Sequence, residues 1–201
     1  MLSLEKDPQF FSVLKGIRDS HENFRFEIVD ALTYDFSKAL TEAGFKNYRV
    51  VANVPYYITG KLFQLFLRAP LRPKSITVLV QKEVGENVCA LPGNYSQLSI
   101  SVQLFGKPRI VRVVPAEKFY PAPIVQSVLL HVDLYNEPAV ALPDEKKFFR
   151  VVRACFSGKR KQLHNTLKSN LKLSDEEIAR ILGVAGVAPT IRPQELTLKQ
   201  W

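Results

Sequence analysis

Residues 48–59 read YRVVANVPYYIT, an apolar run that ends in a polar and aromatic turn. The apolar part, residues 48–52, has the β-branched and aromatic composition of a strand. The turn Asn-Val-Pro-Tyr, residues 53–56, follows it directly. In an open parallel sheet, ligands bind outside the carboxyl ends of the strands. A ligand site is therefore expected at this turn.

Predicted strands and helices alternate on both sides of the turn. The predicted strands are residues 2–5, 26–29, 48–52 and 75–80, and the predicted helices are residues 8–15, 37–43 and a stretch that Thr59 caps. Gly44 closes the second helix, as a glycine often does. Residues 75–80 are a continuous apolar run, which is typical of a strand buried on both faces. The alternation predicts an α/β fold with a mostly parallel sheet.

The pattern changes after residue 80. Three strand-like runs follow, at residues 98–105, 109–114 and 127–134. They are joined by Gly-Lys-Pro and by residues 119–123 (FYPAP). We expect the last run to close the sheet as an antiparallel strand.

The remainder of the chain has a helical pattern. Residues 136–143 (NEPAVALP) predict a linker. Ser174, with Glu177 three residues later, forms a capping box that predicts a helix start. The sequence therefore divides into a sheet domain, residues 1–135, and a small C-terminal α-helical domain, residues 144–201.

The composition is that of an ordinary globular chain. Of the 201 residues, 46% are hydrophobic and 23% are charged, which excludes wholesale disorder. No apolar stretch approaches the ~20 residues of a membrane span, and no secretory signal is visible. The two cysteines and three histidines have no metal-ligand spacing, so we expect no metal and free thiols in a reducing cytoplasm.

Positive charge is concentrated near the C-terminal end of the sequence. The net charge is +9, and residues 144–201 hold twelve basic but only six acidic side chains. No acid lies between Glu145 and Asp175. Such a stretch can be a solvated helix face, or it can contact successive phosphates of a nucleic acid. We favour phosphate contact, by Arg153, Lys159, Arg160 and Lys161.

The residues of the turn have the chemistry to bind an exocyclic amine. An adenine N6 amine is a poor nucleophile because its lone pair is delocalised into the ring. The neutral side-chain oxygen of Asn53, with the backbone carbonyl of Val54 or Pro55, can accept hydrogen bonds from the amine without protonating it. Pro55 fixes φ, and Tyr56 offers a face on which a base can stack. A plain strand-to-helix turn is the alternative.

Acidic residues close two of the predicted strands. Glu5 ends the first and Asp30 ends the second. Such carboxylates can accept hydrogen bonds from ribose hydroxyls and from an adenine amine, although acids at strand ends are also ordinary caps. The glycine-rich turn that brings backbone N–H groups to a cofactor is absent, because the nine glycines are scattered and none forms Gly-x-Gly.

At these residues the sequence resembles the ribosomal RNA adenine N6,N6-dimethyltransferases, to which the erythromycin-resistance methylases are related. The resemblance runs essentially from end to end. It rests on the Asn-Val-Pro-Tyr turn and on Phe-x-Pro-x-Pro-x-Val-x-Ser at residues 119–127, in this order. Further matching stretches are residues 4–7 (LEKD), 30–32 (DAL), 80–84 (VQKEV) and 156–161 (FSGKRK).

The resemblance implies a Rossmann-like methyltransferase domain that uses S-adenosylmethionine and no metal. The acid that matches Glu5 would hold the cofactor ribose, and the acid that matches Asp30 would hold its adenine. The implied cofactor site comprises Glu5, Asp30, Ala31 and Asn53. The implied target-base site comprises Asn53, Pro55, Tyr56 and Phe119, with Phe119 stacking on the opposite face of the base.

The resemblance also implies a substrate. Members of the family dimethylate N6 of two adjacent adenines near the 3′ end of small-subunit (16S) rRNA during ribosome biogenesis. The partner would be the small-subunit rRNA in a pre-30S particle, and the enzyme a cytoplasmic monomer with no membrane partner. Two other functions stay open: a non-catalytic rRNA-binding assembly factor, and an enzyme that methylates large-subunit rRNA.

The sequence departs from the family pattern at both ends. The family's first strand and its glycine-rich turn have no counterpart, and residues 196–201 read as a helix start that stops abruptly. The chain is therefore expected to be an incomplete form of the enzyme. Because the backbone donors of the turn and a central strand are missing, we expect the chain alone to bind S-adenosylmethionine poorly or not at all.

Overall fold

The structure, a computed structural model, describes residues 1–158 and 161–201 and divides into two units. The smaller unit comprises Met1–Lys46 with Arg68–Leu71. The larger unit comprises Asn47–Leu67 with Arg72–Trp201. Each unit has its own sheet.

The smaller unit contains a parallel strand pair. Its elements are β1 (Leu2–Glu5), α1 (Phe11–Ser20), β2 (Arg25–Ile28) and α2 (Phe36–Glu42). β1 pairs with β2 in parallel, with Glu5 opposite Ile28. Asp7 accepts a hydrogen bond from the Gln9 N–H at 2.9 Å and starts a 3₁₀ turn that leads into α1. The helix ends at Ser20, five residues beyond its predicted end.

The larger unit contains a mixed four-stranded sheet in the order β3-β4-β6-β5. The strands are β3 (Arg49–Asn53), β4 (Ser75–Gln81), β5 (Gly106–Val114) and β6 (Ser127–Leu134). β3 is parallel to β4, whereas β6 is antiparallel to both β4 and β5. The expectation that the last strand is antiparallel is confirmed, but this strand lies between β4 and β5, and β5 is the edge strand.

Three helices accompany this sheet, and one of them packs directly on one of its faces. They are α3 (Thr59–Leu67), α4 (Lys82–Val88) and α5 (Gln97–Phe105). Helix α4 packs on β4, β5 and β6, and α5 packs on β5 and on both other helices. Alternate side chains of the two central strands are fully buried beneath them: Ile76, Val78, Val80, Val128, Leu130 and Val132. This burial makes β4 and β6 the rigid centre of the unit.

Two local predictions were wrong. The strand predicted at residues 98–105 is helix α5, because Ser96 and Ser99 form a capping box and Ile100 and Leu104 lie one turn apart on its buried face. The β-branched residues of this stretch alternate with serines, which is the pattern expected of a half-buried strand. Thr59 is the first residue of α3 rather than its cap, and its buried hydroxyl has no hydrogen-bond partner within the described residues.

The C-terminal part of the larger unit is helical, as predicted. It contains α6 (Glu145–Phe156), α7 (Leu163–Leu171) and α8 (Asp175–Ala185). The capping box of Ser174 and Glu177 is present at the start of α8. Burial raises the pKa of the Cys155 thiol to about 11, so this side chain packs as a small neutral group. None of the helices in the described ranges is long and apolar enough to cross a membrane.

We expect Gly85→Ala to lower the free energy of unfolding by about 1–3 kcal/mol, the usual range for an overpacked site. A Cβ atom on Gly85 would lie 2.4 Å from Cγ2 of Val128, where α4 meets β6. Gly183→Ala in α8 is the matched control, because no described atom beyond its chain neighbours and the backbone of its own helix lies within 4 Å of its added Cβ. It should stabilise the fold by up to about 1 kcal/mol. Chemical denaturation measures both changes, and equal effects of the two substitutions would contradict the packing of α4 on β6.

Candidate active site and RNA-binding surface

The Asn-Val-Pro-Tyr turn leads directly from a strand to a helix. Asn53 is the last residue of β3 and is exposed, and its side-chain amide has no partner in the part of the chain that the structure describes. Pro55 has φ −52° and ψ 136°, and a 3₁₀ turn, Tyr56–Ile58, connects it to α3. The Asn53 amide is thus available to a ligand at the carboxyl end of the strand.

The two backbone carbonyls of the turn differ in availability. The carbonyl of Pro55 accepts a hydrogen bond from the Ile58 N–H at 3.1 Å. The carbonyl of Val54 accepts none from the backbone of the described residues outside the sheet ladders. Of the two acceptors that the sequence allowed, Val54 is therefore the one whose oxygen can face a ligand, and Pro55 stiffens the turn.

Tyr56 connects the turn to the second family motif. Its hydroxyl oxygen lies 2.6 Å from Oγ of Ser127, and the two hydroxyls share a hydrogen bond across 71 residues of sequence. Ser127 is the last residue of the Phe-x-Pro-x-Pro-x-Val-x-Ser run and the first residue of β6. The two stretches that carry the resemblance therefore meet in the fold.

Phe119 lies at the other end of that run. It is half-buried and follows the 3₁₀ turn Ala116–Lys118, with its N–H donating to the Ala116 carbonyl at 3.1 Å. Among the described residues, the rings of Phe119 and Tyr56 do not contact each other. Rings that were already stacked on each other would leave no room for a base between them.

The two acids predicted to bind the cofactor lie in the smaller unit. Glu5 ends β1, and its Oε1 accepts hydrogen bonds from the N–H groups of Lys6 and Asp7 at 2.7 and 2.9 Å. Asp30 follows β2; its Oδ1 accepts from the Leu32 N–H, and its Oδ2 pairs with Lys6 Nζ, each at 2.9 Å. Parallel pairing of β1 and β2 places both carboxylates at the same edge of that sheet.

The predicted phosphate contacts are only partly within the described residues. Arg153 is exposed in the last turn of α6, and Lys161 is exposed with its N–H donating to the Gly158 carbonyl at 2.8 Å. Lys159 and Arg160 lie outside the described residues.

Helix α6 carries a row of cations that sequence reasoning named only in part. Lys146, Arg150 and Arg153 are exposed and recur at helical spacing, and no described acid lies within 4 Å of them. Lys168, which lies on α7, differs from these three cations, because both carboxylate oxygens of Asp175 accept hydrogen bonds from its Nζ at 2.7 and 2.9 Å. These bonds lower the pKa of the Asp175 carboxyl. Lys168 is therefore less available to a phosphate than the three cations on α6. The helical spacing between Lys146 and Arg150 is the sequence signal that could have identified Lys146.

Comparison with known proteins identifies the family. The family model described as Ribosomal RNA adenine dimethylase matches residues 1–194. The chain belongs to this family. Ribosomal RNA small subunit methyltransferase A of Dehalococcoides mccartyi (strain CBDB1) is 34% identical over 201 residues, which cover 100% of this chain and 68% of that protein. The protein of the same name in Caldanaerobacter subterraneus subsp. tengcongensis is 38% identical over 204 residues, covering 100% of this chain and 75% of the relative.

Solved structures of rRNA methyltransferases share the fold. A dimethyladenosine transferase from Plasmodium falciparum superposes with a TM-score of 0.72 at 26% identity, over 99% of this chain and 70% of that one. The 23S rRNA methyltransferase ErmE gives a TM-score of 0.74 at 22% identity, over 100% of this chain and 78% of that one. The family, the Rossmann-like α/β fold class and the methyltransferase class predicted from the sequence are confirmed.

The residues of the smaller unit fit the nucleoside part of S-adenosylmethionine, the methyl donor of the family. Ribose hydroxyls and an adenine amine are hydrogen-bond donors, whereas the side-chain oxygens of Glu5 and Asp30 are acceptors that can each take several bonds. Ala31 lies in the turn after Asp30 and has a small side chain. Across the described ranges, no group of three or more His, Cys, Asp or Glu side chains is arranged to hold a metal ion.

Replacing Lys159, Arg160 and Lys161 together with Ala should weaken RNA binding and flatten its salt dependence. Each phosphate contact contributes about 0.7–0.9 to the slope of log Kd against log salt concentration, so the slope should fall by about 2. Filter binding or fluorescence anisotropy at several salt concentrations measures it.

A control variant removes the same charge elsewhere. Lys15, Lys38 and Lys46 are exposed lysines of the smaller unit, and their joint replacement with Ala should leave the slope near the wild-type value. An unchanged slope in the first variant, or equal losses in both, would show that residues 159–161 are not a phosphate-binding site.

Proposed function

We propose that this protein transfers methyl groups from S-adenosylmethionine to N6 of two adjacent adenines in small-subunit rRNA during ribosome biogenesis. The observation that carries the proposal is the exposed amide of Asn53 at the carboxyl end of β3, followed by the Val54 carbonyl; within the described part of the chain, neither group has a hydrogen-bond partner. The names of the most similar relatives, small-subunit rRNA methyltransferases, support this choice of rRNA over the large-subunit alternative.

The turn can activate the amine by accepting hydrogen bonds. The side-chain oxygen of Asn53 and the carbonyl oxygen of Val54 would each accept a hydrogen bond from one of the two N6–H groups. These two bonds would turn the nitrogen lone pair out of conjugation with the ring. Both acceptors are neutral and do not protonate the amine. Tyr56 and Phe119 would hold the base by its two faces after it leaves the RNA stack.

S-adenosylmethionine, when bound, supplies an electrophilic sulfonium methyl group. The task of the protein is then to align the N6 nitrogen with that carbon, so the rate gain comes mainly from positioning. Glu5 would hold the ribose, and Asp30, with Ala31, the adenine of the cofactor. Asn53 would face the target base.

We assign separate tasks to the two parts of the chain. Residues 1–135 would hold the cofactor and the target base, and residues 144–201 would hold the rRNA through Arg153 and residues 159–161. The substrate would be a pre-30S particle in the cytoplasm, and the enzyme would act as a monomer. The row of unpaired cations on α6 supports the second assignment.

Asn53→Ala in the complete protein should abolish methyl transfer, with a loss of about 100-fold or more, because a preorganised acceptor at the reacting group is removed. The affinity for RNA should change little, because Asn53 contacts one base while the helices contact phosphates. Primer extension on small-subunit particles that lack the modification detects dimethylated adenines, since these stop the reverse transcriptase.

Asn47→Ala provides a matched control. Asn47 is an exposed asparagine just before the opposite end of β3, so its loss should leave methyl transfer intact. Equal loss of transfer and of RNA affinity in Asn53→Ala would show that Asn53 is structural. A wild-type protein that binds the particles without methylating them would favour an assembly factor, and methylation of large-subunit rRNA alone would contradict the proposed substrate.

A further inference from the structure

The hydrogen bond between Tyr56 and Ser127 joins two segments that are far apart in the sequence. Tyr56 leaves the end of β3, whereas Ser127 opens β6, and β4 lies between these two strands in the sheet. The Tyr56 side chain therefore reaches across the end of β4 to its partner. The partner lies in the run that begins at Phe119.

Ser127 is a fixed anchor. Its side chain is fully buried, with 0% of its surface exposed. Its backbone lies opposite Gln81 on β4 and opposite Val114 on β5, so it is held from both sides. The Lys82 N–H donates to the carbonyl of Gln126 at 2.9 Å, which ties down the preceding residue as well. A hydroxyl held in this way has a defined position at the sheet edge.

Tyr56, in contrast, has little local support. It begins a 3₁₀ turn of three residues, and its ring is only partly buried. Stacking on a base requires one orientation of the ring plane, whereas free rotation about χ1 would allow several. The hydrogen bond at its far end selects one orientation before the base arrives.

We infer that Ser127 is a positioning residue that holds the Tyr56 ring in the plane needed to stack on the target adenine. This inference rests on the proposed function. Ser127 ends the run that starts with Phe119, so the bond joins Tyr56 to the segment that contains the second aromatic residue of the proposed base site. Ser127 acts through a hydrogen bond between two hydroxyl groups and does not itself contact the substrate.

A double-mutant cycle on the complete protein tests the inference. The variants are Ser127→Ala, Tyr56→Phe and both together, and the first readout is the single-turnover rate of methyl transfer to unmethylated small-subunit particles. Each single substitution removes the same bond, so each should lower the rate by about fivefold, the usual effect of one hydrogen bond. The double variant should also lose about fivefold rather than about 25-fold, since the bond can be lost only once.

A second readout follows the stacking itself. An RNA fragment that carries 2-aminopurine at the target position reports stacking through quenching of its fluorescence. Quenching should weaken in both single variants, while RNA affinity and the melting temperature stay near wild type. Tyr56→Phe keeps the ring and alters no buried serine, so it remains informative if Ser127→Ala loses stability.

Ser75→Ala is the matched control. Ser75 is also a buried serine, and it lies on the same face of the sheet at the other end of β4. Six residues of strand, about 20 Å, separate it from the position that pairs with Ser127. Ser75→Ala should leave the rate and the quenching unchanged.

Three results would overturn the inference. The first is a wild-type rate and wild-type quenching in Ser127→Ala. The second is additive losses in the double variant, which would mean that the Tyr56 hydroxyl acts on the substrate directly. The third is an equal effect of Ser75→Ala. If the wild-type protein itself transfers no methyl group, the proposed function fails instead, and the quenching series still tests the hydrogen bond.

Discussion

The pairing of β4 with its two neighbours is the constraint on which the target-base site depends. β4 lies parallel to β3 and antiparallel to β6, so the end of β3 and the start of β6 fall at the same edge of the sheet. Asn53 pairs with Leu79, and Ser127 pairs with Gln81, two residues further along. Burial of alternate apolar side chains fixes this register, because a slip by one residue would expose the core face.

The chemistry of the larger unit is divided between neutral and charged groups. In the proposed target-base site at the carboxyl end of β3, the groups are an amide, a carbonyl and aromatic rings, which would suit an amine that must not be protonated. In the C-terminal helices, Lys146, Arg150 and Arg153 are exposed cations with no acid within 4 Å among the residues that the structure describes. Under the proposed function, charge there would give affinity for phosphates, while neutral acceptors would select one base. Lys147 and Lys168 differ from these cations, since Asp144 lies 3.6 Å from the Nζ of Lys147 and Asp175 binds Lys168.

Local sequence signals predicted much of this organisation. The strand before Asn53, the capping box at Ser174 and the antiparallel last strand follow from patterns of neighbouring residues, and the family motif identified the turn. Local patterns did not predict helix α5, because its β-branched residues alternate with serines as they would in a strand. The capping box at Ser96 is the local signal that indicates a helix. The contact of Tyr56 with Ser127 spans 71 residues, so no local pattern could predict it. The choice of Val54 over Pro55 needed the backbone geometry of the turn.

Photo-crosslinking tests the central claim most directly, namely that the turn after β3 and the run that begins at Phe119 receive the target adenine. A small-subunit rRNA fragment with 2-azidoadenosine at the target position is irradiated with the protein, and mass spectrometry locates the attached peptide. Attachment within residues 53–57 or 119–127 is the predicted result. Attachment only within the basic helices, residues 144–172, would contradict the claim, because the base would then lie with the phosphates and not at the end of β3.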